Sequence, residues 1–394
     1  MKIGLDSYVL KFPFTGIGVY TSELARGLNQ KEDLYLFVDS IQNLDVEWIN
    51  YKNIELSNKD YLFNSKLLKR IQDILTRRVF LNIYRNKNHY LTFFDKLPTS
   101  FKEININLDV YHSIDWYFNI YKNAKKNILT IFDLTTELYP NFHDRINIDK
   151  DKIKRQKLNS FDTIISISEN TKKDLVEIWN VDPKKIKAIP LSANSLFDTQ
   201  SYLSKNQIFS KYKIPHDANY FLTVSTIEPR KNFKTVLECF KIFKDKFPSE
   251  KIFLLATGLW GWKNKDLENY LKNYRYIDLI KFTGYLELND LPSIYHYSSA
   301  FLYLSLYEGF GIPVLEAMKS KTFVIASNNS SIPEITLDTA YLVNPMNYDE
   351  ILSGMIEGYF SETKKSSYIN KAFNRSKDFS WSNTINKTLE VYKE

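Results

Sequence analysis

Two carboxylates, Glu308 and Glu316, flank a Gly309-Phe310-Gly311 turn within LSLYEGFGIPVLEAM, residues 304–318. The residue order reads as a strand ending near Ser305, a tight glycine turn, and a helix with Pro313 in its first turn, where proline is favoured. A helix start leaves backbone N–H groups without intrahelical partners, and glycine lets a ligand approach them closely, so this turn is a phosphate site. A carboxylate is a poor neighbour for phosphate. Glu308 and Glu316 are therefore expected to accept hydrogen bonds from hydroxyls of a sugar joined to it. Taken alone, Glu316 is equally a surface acid favoured by the helix N-terminus.

A second, cationic group is IEPRKN (227–232), directly after the apolar run YFLTVST (220–226). Arg230 presents a planar fork and Lys231 a point charge, a pairing suited to a diphosphate. Asn232 is placed to cap the helix that follows. An isolated Arg-Lys pair is commonly solvated surface; its position where a loop leaves a strand marks it out here.

Groups so far apart in sequence need a scaffold that gathers loop ends. Short apolar runs alternate with helical patterns: KIGLD (2–6), LYLFVD (34–39), DVYHS (109–113), NILTIFD (127–133), DTIISIS (162–168) and KIKAIP (185–190). A second series comprises YFLTVST (220–226), KIFLLATG (251–258), LIKFTG (279–284), AFLYLS (300–305) and TFVIAS (322–327). Several are apolar at consecutive positions, which suits strands buried on both faces of a parallel sheet. With helical stretches between them, they predict two doubly wound α/β domains, broken near 195–218 where the chain turns polar and irregular. Open α/β sheets bind ligands beyond the carboxyl ends of their strands, and with two domains the cleft between them is the expected site. The glycines agree. There are only 11 in 394 residues, and seven of them (16, 18, 258, 261, 284, 309 and 311) follow candidate strands or sit in the loops beyond.

Composition excludes several classes. Hydrophobic residues at 44% and charged ones at 25% describe a globular chain rather than a disordered or fibrous one. The single cysteine, Cys239, rules out a disulfide framework or a cysteine-rich metal site, and its helical context TVLECFKIF reads as core. No apolar run approaches the ~20 residues that span a bilayer, and the start MKIGLDSYVLKFPF lacks a signal-peptide core. The expectation is a cytoplasmic protein.

The sequence resembles glycosyltransferase family 4, the mannosyltransferase-like group 1 enzymes. The resemblance is carried by TGIGVYTSELARGL, by FDLTTELYP near 132–140, and by IISISENTKKDL, VDPKKIKAIP and STIEPRKN. It continues through FTGYLELNDLPSIYHYSSAFLYLSLYEGFGIPVLEAM and SNNSSIPEI. It implies a retaining, nucleotide-sugar-dependent enzyme of the GT-B architecture, two Rossmann-like parallel-sheet domains facing a cleft. Residues 1–195 would be the acceptor-binding domain, 196–217 a linker, 218–378 the donor-binding domain, and 379–394 a terminal helix crossing back to the first. By resemblance, Arg230 and Lys231 neutralise the donor diphosphate, Glu316 holds the ribose hydroxyls and Glu308 contacts the transferred sugar. The amides of Phe310, Gly311 and Ile312 meet the sugar and distal phosphate. Gly16 and Gly18 match the loop that closes over the diphosphate, and Tyr285 and Leu286 the nucleobase contacts. There are departures. Phe132-Asp133 stands where relatives often have His-Asp, which leaves Asp133 and, as a substitute imidazole, His112 as catalytic candidates. Ser192 takes a place commonly held by glycine.

Such a transfer breaks the bond between an anomeric carbon and a nucleoside diphosphate, so catalysis needs charge stabilisation on the leaving group more than a protein nucleophile. Arg230, Lys231 and helix amides supply that without a metal or cofactor. The expected function is hexose transfer, mannose from GDP-mannose first with UDP-sugars open, to a glycan or polyprenyl-diphosphate-linked acceptor in O-antigen or capsule synthesis. The competing reading is a non-catalytic nucleotide-sugar or phosphosugar-binding protein on the same scaffold. Residues 61–104 hold nine Lys and Arg against three acids, six of the chain's seven net positive charges. Lys66, Lys69, Arg70 and Arg77 fall on one helical face, with aromatics following. That pattern suits an anionic membrane surface, or a surface helix packed inward. No nucleic-acid module is present.

Overall fold

The computed structural model describes residues 1–7, 9, 15–38, 54–56 and 106–394; the basic stretch 61–104 lies outside them. The chain divides into two compact units, Met1–Ile128 and Leu129–Glu394.

Eleven of the expected runs form strands close to where their apolar residues place them. The first sheet contains β1 (Lys2–Asp6), β2 (Asp33–Val38), β3 (Ile54–Leu56), β4 (Leu108–Ile114), β5 (Ala124–Ile131), β6 (Thr163–Ser166) and β7 (Ile186–Ala188), in the order β3-β2-β1-β4-β5-β6-β7. Here β1 pairs in parallel with both β2 and β4, and β6 with β7. The second sheet contains β8 (Asn219–Val224), β9 (Ile252–Thr257), β10 (Ile280–Gly284), β11 (Ala300–Tyr303), β12 (Val324–Ser327) and β13 (Tyr341–Val343), in the order β10-β9-β8-β11-β12-β13, every pair parallel. In both, the chain steps outward from a central strand, crosses, and continues on the other side. That is the doubly wound topology.

The second sheet shows why the sequence folds this way. The helix Phe233–Lys246 turns Phe233, Val236, Leu237, Phe240 and Phe243 inward at helical spacing. They pack on Phe221, Leu254 and Leu302 of the strands, with Phe221 and Phe243 meeting edge to face at 5.1 Å. Cys239 is buried in the same cluster, and burial pushes its thiol up to about 12.

Four elements differ from the sequence reading. The strands β3 and β13 were not expected, and each is only three residues long at a sheet edge. The irregular 196–217 stretch holds a helix, Lys205–Lys211, started by a reciprocal Ser204–Gln207 capping box. The run NILTIFD ends as a strand at Ile131, so Phe132 and Asp133 lie in the following loop.

The last helix, Trp381–Lys393, is tied to the segment after β7. Trp381 Nε1 donates to the Ala193 carbonyl at 2.8 Å and the Thr384 hydroxyl to that of Pro190 at 2.8 Å. Among the described residues, no helix is long and apolar enough to cross a membrane.

Candidate functional site

The strands β8 and β11 are parallel neighbours, with Ala300 opposite Phe221 and Phe301 opposite Leu222. The loops leaving their carboxyl ends, 225–232 and 304–311, therefore meet. In the first loop Pro229 opens a single 3₁₀ turn, Pro229–Lys231, and Asn232 closes it with a left-handed φ of 55°. Asn232 is at the N-cap of helix Phe233–Lys246, as expected, but its side chain does not cap the backbone. Instead its Oδ1 accepts from the Thr235 hydroxyl at 2.7 Å and its Nδ2 donates to the Pro345 carbonyl at 3.0 Å. The left-handed backbone takes over the task of turning the chain.

Arg230, Lys231 and Glu308 converge here. Arg230 donates to Glu308 Oε2, to Glu228 Oε1 and to the Tyr307 carbonyl, each at 2.8 Å. Lys231 Nζ donates to Glu308 Oε1 at 2.5 Å and to the Tyr303 hydroxyl at 3.1 Å. Glu308 thus clamps both cations with its two oxygens, and Glu228 holds the far side of the guanidinium. Two cations and two carboxylates balance. Burial raises the Glu308 carboxyl, but Arg230 and Lys231 outweigh it and hold the group at about 2. Burial and the adjacent Arg230 push Lys231 down despite Glu308.

The Glu308 loop is fixed from two further sides. Its N–H donates to Ser330 Oγ at 3.0 Å, and Ser331 Oγ donates to the carbonyls of Glu308 and Phe310. Two glycines are required. A Cβ on Gly309 would lie 2.1 Å from the Phe132 carbonyl oxygen, and Gly311 has φ 114° at the N-cap of helix Ile312–Lys319. No side chain caps that helix start, so the first amides of the helix have no side-chain partner. Pro313 is in the first turn, as its type predicts.

Asp133 comes to the same turn, because Gly309 packs against Phe132-Asp133. Its carboxylate accepts from Thr135 N at 3.0 Å and Thr135 Oγ1 at 2.6 Å, and its charge acts on Arg230. The helix Glu169–Glu177 grips the loop as well. Thr171 Oγ1 lies 3.1 Å from the Phe132 carbonyl and 3.3 Å from that of Gly309, and Asn170 donates to the Tyr307 hydroxyl at 3.1 Å.

Other expected residues have surroundings of their own. Glu316, one turn into its helix, accepts from the Tyr295 hydroxyl at 3.0 Å, and burial pushes its carboxyl up to about 7. Tyr285 is exposed and Leu286 buried, both just beyond the edge strand β10, two strands from β8. Gly16 and Gly18 lie in the first turn of helix Gly16–Asn29, where the Gly18 N–H already donates to the Thr15 hydroxyl at 3.0 Å. His112, expected as the substitute imidazole, is fully buried in β4, and burial lowers it to about 3. It is an inward side chain, because β4 is covered on both faces from Val110 onward.

Three contributors escaped the sequence reading: Glu228, Tyr303 and His143. Glu228 was legible as the acid two residues before Arg230. Tyr303 was hidden inside an apolar strand. His143 follows the 3₁₀ turn Pro140–Phe142, with no spacing to recommend it. Its Nε2 is shut off from solvent and has no hydrogen-bond partner among the described residues, while Asp133, Glu228, Arg230 and Asp151 act on its ring. Such an orphan costs about 1–3 kcal/mol.

Residues 14–194 match the family model Glycosyltransferase Family 4, and residues 204–375 match Glycosyl transferases group 1. The chain is 26% identical to O-antigen chain mannosyltransferase B of Escherichia coli over 407 residues, covering 100% of each. Two solved structures illustrate the fold likeness. Sucrose-phosphate synthase from Thermosynechococcus elongatus superposes with a TM-score of 0.70 at 18% identity, covering 100% of this chain and 98% of that one. Anabaena HepE in complex with UDP-glucose gives 0.69 at 13% identity, covering 100% and 99%. The two family models between them take in every strand but the first and the whole ion-pair cluster, and on that ground the chain belongs to the family 4, group 1 glycosyltransferases: it is a glycosyltransferase of the GT-B fold.

Proposed function

We propose that this enzyme is a retaining hexosyltransferase that moves mannose from GDP-mannose to a lipid-linked or oligosaccharide acceptor in O-antigen or capsule synthesis. The observation that carries the reading is the Arg230–Glu308–Lys231 clamp at the carboxyl ends of β8 and β11, beside an uncapped helix start at Gly311. The mannose donor and O-antigen setting rest on the full-length likeness to the Escherichia coli O-antigen mannosyltransferase. The UDP-glucose held by HepE supports a nucleotide sugar as donor.

Arg230 and Lys231 would neutralise the diphosphate as it leaves, and the Phe310–Ile312 amides would add dipoles aimed at the same oxygens. Glu308, ionised throughout the neutral range, would orient the sugar through its hydroxyls while keeping both cations in place. Glu316 would take the ribose hydroxyls. In front-face transfer the acceptor hydroxyl bonds to the anomeric carbon as the carbon–oxygen bond to the β-phosphate breaks, and that phosphate oxygen takes the acceptor proton. No cofactor or metal has a step here. Residues 1–195 would receive the acceptor, with 61–104 resting on an anionic membrane.

The test is a thermal-shift screen across nucleoside diphosphates and their sugars, since bound ligand stabilises the fold by mass action. A guanine preference with GDP-mannose supports the donor; a uracil or thymine preference replaces it. Proton NMR of the product then decides stereochemistry, and an inverted anomer rejects the retaining mechanism.

A further inference from the structure

The clearest unexplained group in the site is the His143 imidazole. Its backbone is pinned: Lys263 Nζ donates to the carbonyls of Asn141 and His143 at 2.7 Å each, and Trp262 Nε1 to that of Phe142 at 2.7 Å. Tyr139, just upstream, stacks on Phe142 at 5.4 Å and donates to the Leu306 carbonyl at 3.3 Å. The segment is therefore strapped to the loop that carries Glu308 and to the loop after β9. Pinning of this kind fixes the backbone that carries the ring, and the Nε2 atom is buried without a partner among the described residues. Buried polar atoms left unpaired are rare and call for an explanation.

We propose that His143 is a specificity-determining residue of the donor site, whose Nε2 takes its missing partner from a hydroxyl of the transferred sugar. The inference rests on the nucleotide-sugar reading above and adds to it the group that recognises the sugar. The surrounding charges select the ligand chemistry. Asp133 from the loop after β5, Glu228 from the loop after β8 and Asp151 from helix Arg145–Lys157 are acids acting on the ring beside the cation Arg230. Three carboxylates repel a phosphate oxygen at this point. A hydroxyl suits them, because it can donate to a carboxylate and share a hydrogen bond with an imidazole at once. Burial lowers the ring's proton affinity more than those acids raise it, so at neutral pH it meets the sugar as a neutral donor or acceptor.

Two variants test this, His143→Phe, which keeps a ring without nitrogen, and His143→Gln, which keeps a hydrogen-bonding amide. Affinities are measured by calorimetry for GDP-mannose and GDP, with UDP-glucose and UDP as the second pair. The expected result is that His143→Phe binds the preferred nucleotide sugar roughly fivefold to tenfold more weakly than wild type. Its affinity for the matching nucleoside diphosphate stays unchanged, and His143→Gln recovers part of the loss. An equal loss for sugar and diphosphate overturns the proposal, since it marks a structural role. So does an unchanged His143→Phe. Wild-type protein that binds neither ligand pair instead overturns the donor reading, and this inference with it.

Discussion

At the scale of single residues the site is a balanced cluster in which each charge is held by its opposite. Removing Lys231 by alanine deprives the leaving diphosphate of a preorganised charge, and transfer should fall ~10²–10³-fold in a radiolabelled-sugar assay. Glu308→Ala should act twice. It removes the sugar contact and leaves Arg230 and Lys231 with half their compensation, so the melting temperature should drop along with the rate. A Glu308→Ala protein as stable as wild type would argue against the clamp. Glu316 carries a pH signature. Its carboxyl is held at about 7 in the fold against an ordinary 4.5. Between those values the folded protein retains a proton that the unfolded chain has released, so stability falls as pH rises through the window. Glu316→Gln should flatten that fall in melting temperature between about pH 5 and about pH 8. An unchanged slope would assign the dependence elsewhere, with Glu334, also raised to about 7 by burial, next in line.

At the scale of elements, stability and chemistry meet in the glycine turn. A methyl on Gly309 must push either its own loop or the Phe132 backbone, so Gly309→Ala should lower both the melting temperature and turnover. Gly261→Ala, which crowds the neighbouring Thr226 side chain and Ile227 carbonyl, should affect turnover less. Comparative scanning calorimetry and initial rates on the two variants check this. The elements that sequence revealed best were those with redundant signals. LSLYEGFGIPVLEAM announces strand, turn and helix by apolar run, paired glycines and proline together, and each is found in place. Short elements were not legible. Three residues such as Tyr341–Val343 contain too little pattern to separate a strand from a loop, and only pairing with β12 makes them one. The helix Lys205–Lys211 was lost in a polar stretch because its two inward residues, Ile208 and Phe209, are too few to set a period. His112 shows the converse failure. A histidine at a strand end is chemically suggestive, and only burial reveals it as core.

At the scale of the whole molecule, the charge distribution makes its own prediction. Liposomes containing an anionic lipid should sediment the protein, and a variant with the charges of 66–78 reversed should stay in solution; equal partition of both would reject a membrane role for 61–104. The two sheets were legible because eleven of their thirteen strands carry an apolar run of their own. The residues joining the site across separations of 137 to 167 positions were not, since Thr171, Asn170 and Tyr139 look ordinary until they touch the Glu308 loop. Those contacts have a consequence for dissection. The group 1 segment begins at 204, yet Thr171 bridges to Gly309, and the N–H groups of Glu169 and Asn170 donate to the Glu334 carboxylate. A fragment starting at 204 would carry Arg230, Lys231 and Glu308 but lose the grip on their loop. Chimaeras that exchange carboxyl halves between relatives inherit the same hazard. The exchange should keep activity only when residues 132–174 travel with the half they hold.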